Sequence, residues 1–471
     1  MANDRTLHAE NNDLVGIVAV GHALLLEIFL AWRFGGMDPL GRRIAGCLCL
    51  AAPVVTLLAW RRAEKRVRAR FRWIAAPLLL LALVVGVSAL NPNMRLLTAG
   101  DTPVGFAPRT EHLRFLPSTV WPADTIVDFL FNAGLVLVGL NVFLAQPRRA
   151  HLRVLLALTA INAAILACAG SAFKLLHATA IFGTFPSPNR HFFASFFYYN
   201  HWGAFAVLGA AAAGALALHY RHHARDRWQD TPALFFGVLA LLLLVSLPVS
   251  GARASSLAGL VLATVLALHA RPRVEKGVRA FGPRVLLPLG IVAVVAGASA
   301  WLGREELRFV LRKTSTQLES LHTGGVADWR LPLYRDAWKL FEAEPVYGWG
   351  WHSFRYAFRR VQSFDAKMEN EQKVPSLFLD AHDDWLQLLT ELGLVGAALA
   401  VATMIGVGRA AGSRWWRLSP SLELATGFGC VGLLALVDFP FACPAVVVSA
   451  WTLLMAAAAI ACDRELDARS R

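Results

Sequence analysis

The sequence predicts an all-α fold, a polytopic bundle of about twelve transmembrane helices with one large external loop that carries amphipathic helices. Three observations lead there. Of the 471 residues, 56% are hydrophobic and only 17% are charged, with a mean hydropathy of +0.49, whereas a soluble domain carries roughly a quarter charged residues. The shortfall is concentrated in recurring apolar runs of about 17–25 residues, each long enough to cross the hydrocarbon layer as a helix. Lys and Arg gather in alternate short connections between those runs, the pattern that orients membrane helices.

The runs fall at 14–32, 44–60, 73–90, 126–145, 154–173, 201–219, 232–249, 254–270, 285–302, 385–408, 421–438 and 441–461. The chain therefore divides into nine spans within 1–302, an external loop over 303–384, and three spans with a tail over 385–471. No internal repeat or low-complexity linker interrupts this order.

Orientation follows from the densest basic segment, RRAEKRVRARFR at 61–72. If it is cytoplasmic, so are the alternate connections holding Arg148, Arg149 and Arg153, then Arg221, Arg225 and Arg227, then Arg271, Arg273, Lys276, Arg279 and Arg284, then Arg409, Arg414 and Arg417. Arg33, Arg42 and Arg43 are a mild exception on the other side. Both termini are then cytoplasmic, and the segments 91–125, 174–200 and 303–384 lie outside. In the last of these, YRDAWKLFEAE at 334–344 spaces Tyr334, Trp338, Leu340 and Phe341 as a helix would, lying over the membrane domain or along its interface.

The net charge of +14 and the pI near 10.1 are explained by those loops and by attraction to anionic lipid, so membrane lipid is an expected partner and nucleic acid is not. The six cysteines, Cys47, Cys49, Cys168, Cys430, Cys443 and Cys462, lie in or beside apolar runs, without zinc spacing or an external pair. They read as small packing residues. The start, MANDRTLHAENND, lacks the basic-then-apolar pattern of a removable signal.

Ionisable groups near a membrane are costly, so those that persist call for a reason. Three clusters fall on the outer side. PSPNRHFFASFFYYNHWGAF at 186–205 contains Arg190, His191, Asn200 and His201 among aromatics, suiting either an interfacial aromatic belt with a snorkelling Arg or a binding surface. VSGARASS at 249–256 sets Arg253 among small residues, as a turn that caps a helix or meets a lipid phosphate, or as a guanidinium aimed into a cavity. LDAHDDWLQLLTELGLVG at 379–396 opens a span with His382, Asp383 and Asp384, and aligns Asp384, Gln387 and Glu391 on one helical stripe. One Asp suits an N-cap, while His382 can take a proton near neutral pH. Arginines to hold a diphosphate, a histidine for a hydroxyl proton and aromatics for sugar rings together suit glycan transfer from a lipid diphosphate. No phosphate-cradling glycine loop indicates ATP.

At these residues the chain resembles the O-antigen ligase and polymerase family, in order over roughly 180–445. The resemblance is carried by RHFFASFFYYNHWGAF, by SGARAS, by WRLPLYRDAWKLFEAEPVYGWGWHSF at 329–354, by AHDDWLQLLTELGLVG and by LVDFPFACPA at 436–445. It implies an inverting glycosyltransferase of the bacterial inner membrane that uses no metal, cofactor or nucleotide sugar. The donor would be an undecaprenyl-diphosphate-linked glycan, used at the periplasmic face. The acceptor would be lipid A-core for a ligase, or a growing polysaccharide for an O-antigen, capsule or exopolysaccharide polymerase; the ligase is preferred. The resemblance gives Arg190 and Arg253 the diphosphate and His382 the acceptor hydroxyl, with Arg330, Arg335, Asn200 and His201 as secondary candidates. It departs at Asp383, where the motif usually has Asn; an acid there is expected to raise the basicity of His382, which leaves open either His382 as the sole base or a base assisted by Asp383 as a second catalytic residue. A lipid-linked glycan transporter is the rival class, but it should line a path through the bilayer with charge, and Glu27, His22 and Asp128 form no evident series.

Overall fold

The computed structural model describes residues 2–99, 102–189, 191–223, 231–277, 330–363, 378–413, 415 and 418–469. The chain runs through α1 (Ala2–Trp32), α2 (Pro39–Cys49), α3 (Ala52–Arg62), α4 (Lys65–Leu90), α5 (Pro122–Ala145), α6 (Arg149–Leu175), α7 (Tyr199–His223), α8 (Ala233–Ser250) and α9 (Arg253–Gly277). It continues through α10 (Arg330–Ala343), the short α11 (Phe354–Ala357), α12 (Asp384–Ala411), α13 (Ser421–Leu434) and α14 (Pro444–Arg469). Two small antiparallel ribbons, β1 (Met94–Ala99) with β2 (Thr102–Pro108) and β3 (Ala180–Ile181) with β4 (Phe185–Pro186), are the only sheets among the described residues.

Ten segments among the described residues are long and apolar enough to cross a membrane. They coincide with ten of the twelve runs expected from sequence. The run at 421–438 instead forms the 14-residue α13, shorter than the roughly 20 residues of a usual spanning helix. The run at 285–302 lies outside the described residues, as does 303–329 of the loop. The span Pro39–Arg62 is built from α2 and α3 in series. Its break falls at Leu50–Ala51, just before Pro53, which has no N–H to continue the helical ladder.

α7 and α14 occupy the middle of the bundle. Every residue of α7 from His201 to Leu216 is buried, and its glycines and alanines let neighbouring helices approach closely, as polar-poor membrane interfaces require. A Cβ added at Gly209 would stand 2.6 Å from the Ala163 Cβ of α6. By contrast, Leu79 and Leu83 of α4 and Leu257 and Leu260 of α9 are each more than 60% exposed. Such apolar outward faces are stable only against lipid.

A second apolar cluster caps one end of the bundle. Leu333, Ala337 and Leu340 of α10 pack there with Trp349, Phe354, Phe358 and Phe378. The buried face of α10 differs slightly from the expected one. Trp338 is exposed and its Nε1 donates to Glu342 at 2.8 Å, while Leu333 and Ala337 take the inward positions. The cap is tied to α12 through backbone pairing. Trp349 and Gly350 donate to the Thr390 and Glu391 carbonyls at 2.9 and 2.8 Å, and Leu394 and Val395 donate to Pro345 and Val346 at 2.9 and 3.1 Å. α12 is interrupted there at Gly393, with φ 61° and ψ −161°, a conformation open essentially to Gly alone. The incoming loop thus satisfies the groups that the unwound turn releases, the condition for irregular backbone at membrane depth.

Candidate active site

The site is built where α12 begins, against the turn that links α13 to α14. Asp383 is the N-cap of α12, its Oδ1 accepting the Leu386 amide at 2.9 Å. Asp384 follows with its own amide donating to the Ala435 carbonyl at 2.9 Å and its Oδ2 accepting the Phe441 amide at 2.9 Å. These bonds fasten the helix start to residues 435–441. They also fix the preceding residue. His382 adopts φ +53°, a left-handed conformation uncommon outside Gly. Its carbonyl accepts from the Tyr334 hydroxyl of α10 at 3.0 Å. An over-determined non-glycine outlier of this kind is typical of functional sites.

The His382 ring meets Phe439 edge to face, with centroids 4.3 Å apart. His201, from the first turn of α7, meets the same ring at 5.0 Å, and Tyr198 stacks on it at 5.5 Å. Beside Phe439, Asp438 accepts from Asn200 Nδ2, which also donates to the Tyr198 hydroxyl at 2.8 Å. Arg330 Nη1 donates to the Val437 carbonyl at 3.2 Å. His382, His201, Asn200, Tyr198, Arg330, Asp438 and Phe439 are therefore one constellation, drawn from four separate stretches of chain.

Electrostatics sort these groups into roles. Burial, then the nearby Arg330 and His201, pushes the His382 pKa down to about 3, so its imidazole is neutral. Burial pushes Asp438 up to about 6, opposed by the Phe439 amide, the Arg330 charge and Asn200. Asp383 is also raised by burial, opposed by the amides it caps. The expectation that Asp383 raises the basicity of His382 is therefore corrected. The Asp383 carboxylate is turned onto the amides of α12, and what moves His382 is its own burial, then Arg330 and His201.

The remaining candidates separate. Arg253 is half-buried at the first position of α9. It opens at the same end of the bundle, because Gly203, two residues beyond His201, packs against Ala252 and Ser255. Arg335 is exposed on α10, away from the contacts described. Arg190 lies outside the described residues. Asp438, Phe439, Tyr198 and Tyr334 carried no assigned role in the sequence reading. Asp438 had a usable signal, an acid at the end of an apolar run, and Phe439 had none beyond its neighbour.

Behind the cap lies a second polar network. Asp128 of α5 pairs with Arg42 at 2.5 Å, accepts from Trp351 Nε1 at 2.9 Å and lies 3.4 Å from His352 Nδ1. Glu391 of α12 accepts the His352 and Phe354 amides at 2.8 and 3.1 Å. Asp128 is thus a tie between α5, α2 and the cap.

Residues 238–401 match the O-antigen ligase family. That stretch of the chain is similar to O-antigen ligases. No curated protein matches the chain. The O-antigen ligase match begins in α8 and runs into α12, so it contains Arg253, Arg330, Arg335, His382 and Asp383. It supports the family read from the motifs and a multi-pass membrane protein of the ligase and polymerase type. Asn200, His201 and Asp438 fall outside the matched residues and meet them through the contacts above.

Proposed function

We propose that this protein is a ligase-type glycosyltransferase of the bacterial inner membrane, with its site facing the periplasm and both termini in the cytoplasm. It would transfer a glycan from an undecaprenyl-diphosphate donor to a hydroxyl of lipid A-core. The observation that carries this reading is a neutral, half-buried His382 held in a left-handed conformation beside Arg330 and Asp438, with His382 and Arg330 both inside the residues that match the O-antigen ligase family.

In this reading the acceptor hydroxyl attacks the anomeric carbon from the side opposite the diphosphate. The new glycosidic bond forms as the carbon–oxygen bond to phosphate breaks, which inverts the anomeric centre. His382 receives or orients the hydroxyl proton, and undecaprenyl diphosphate leaves with its charge met by Arg253 and Arg190. A neutral imidazole has the lone pair this requires. Its low basicity would rise once an anionic donor lies beside it, because opposite charge favours the protonated form. Arg suits the diphosphate because its planar fork binds two oxygens at once. No metal is assigned a role, and transfer by the reconstituted protein should survive EDTA; loss of transfer that Mg²⁺ or Mn²⁺ restores would contradict that.

Deletion of the gene, followed by gel analysis of lipopolysaccharide and extracellular polysaccharide, tests the assignment. Loss of the O-antigen ladder with lipid-linked polymer accumulating is the expected result. Single repeats left on the acceptor would instead make the protein a polymerase, and an unchanged profile would contradict both.

A further inference from the structure

At the other end of α7 from His201, about 27 Å away at 1.5 Å per helical residue, a basic pocket opens between helix ends. His219, His222 and His223 of α7 meet His269 of α9, Arg149 of α6 and Arg464 of α14 around a cavity of about 480 Å³. The His219 and His223 rings lie 4.4 Å apart, and those of His222 and His269 6.0 Å apart. Among the described residues, two carboxylates reach this cluster and both are engaged there. Asp463 pairs with Arg149 at 2.7 Å, and the fully buried Glu423 pairs with His269 at 2.5 Å. Among the described residues, four imidazoles and two guanidiniums thus face one cavity against two carboxylates, a surplus of hydrogen-bond donors. None of these groups belongs to the constellation around His382.

We propose that this pocket binds a phosphate ester. Guanidinium forks and imidazole N–H groups converging from four helices suit a tetrahedral oxyanion, whose several oxygens accept from different directions. Even neutral imidazoles donate one N–H each. The pocket sits at the ends of spans, the level at which lipid phosphates lie, and basic pockets between helices are a known form of anionic headgroup recognition. The phosphate belongs either to an anionic lipid headgroup or to a free solute, and the two are separable by experiment.

Native mass spectrometry of the full-length, detergent-purified protein tests the proposal, with phosphatidylglycerol and phosphatidylcholine as lipid probes and inorganic phosphate as competitor. The wild type should retain phosphatidylglycerol over phosphatidylcholine. A His222→Gln, Arg464→Gln double variant that elutes as a single species should lose at least tenfold of that retention. Displacement by millimolar phosphate would assign the pocket to a free phosphate ester, and persistence would assign it to a lipid headgroup. Should the double variant misfold, His223→Gln at the exposed rim gives the same comparison. Equal retention of both lipids by the wild type with no phosphate bound, or undiminished retention by a folded variant, would overturn the proposal.

Discussion

Burial against Phe439, with Arg330 close by, leaves the His382 imidazole neutral throughout the physiological range. Its titration therefore contributes no limb to the activity profile of the free protein between pH 5 and 8. Asp438 is different, because burial raises its pKa to about 6. Above that pH it is a carboxylate that accepts from Asn200 and offsets Arg330. Below it, protonation removes the charge. Transfer should therefore decline as pH falls through about 6, and Asp438→Asn should flatten that limb while lowering the rate; a limb unchanged in Asp438→Asn would assign it elsewhere. Asp383→Asn makes the opposite point. Asn caps a helix about as well as Asp, so activity and thermal stability should both stay near wild type. A drop in rate without a drop in stability would restore the Asp383 carboxylate to the chemistry. His382 and its neighbouring acids were visible in the sequence as a polar opening to an apolar run. Which acid faces the histidine was not, because Asp383 and Asp384 are adjacent and only the helix start decides that Asp383 turns to its own amides and Asp384 to the Phe441 amide.

At the scale of elements, the glycines of the loop and of α12 act as one joint. Gly348, at φ 66°, faces the Glu391 backbone so closely that an added Cβ would stand 2.5 Å from its carbonyl carbon. Gly393 breaks α12 and meets Val346 in the same way. Gly393→Ala should cost about 1–3 kcal/mol from backbone strain alone, with a further steric term, and should lower the apparent melting temperature of the detergent-purified protein by several degrees. An unchanged melting temperature would mean that the loop does not dock on α12 as described. The spans themselves were legible because apolar length is a one-dimensional signal. The break at Gly393 was not, since hydropathy is blind to φ. The tie between Asp128 and Arg42 was hidden too, because its partners lie 86 positions apart. The ribbon β1–β2, whose strands are short and sit within an external segment, gave no period that sequence could separate from a loop.

At the scale of the molecule, α7 joins two polar ends, the constellation around His201 and the basic pocket around His219. In the orientation we propose from the basic-loop bias, the first lies outside the cell membrane and the second inside. Cysteines placed at Phe115 and Leu176, both more than 70% exposed, should react with an impermeant thiol reagent in intact spheroplasts above the level of the unsubstituted chain. A cysteine at Glu64 should react only after lysis, and the reverse pattern would overturn the orientation. The most direct measurement of the central claim is transfer, by the purified and reconstituted protein, from an undecaprenyl-diphosphate-linked glycan. His382→Ala should reduce transfer about 10²–10⁴-fold, the usual cost of removing a general base, while leaving donor binding intact. Arg253→Lys, which keeps the charge but loses the fork, should weaken donor binding. Full transfer by a normally inserted His382→Ala, Arg253→Lys double variant would show that these residues only cap and pack helices, and would contradict the account.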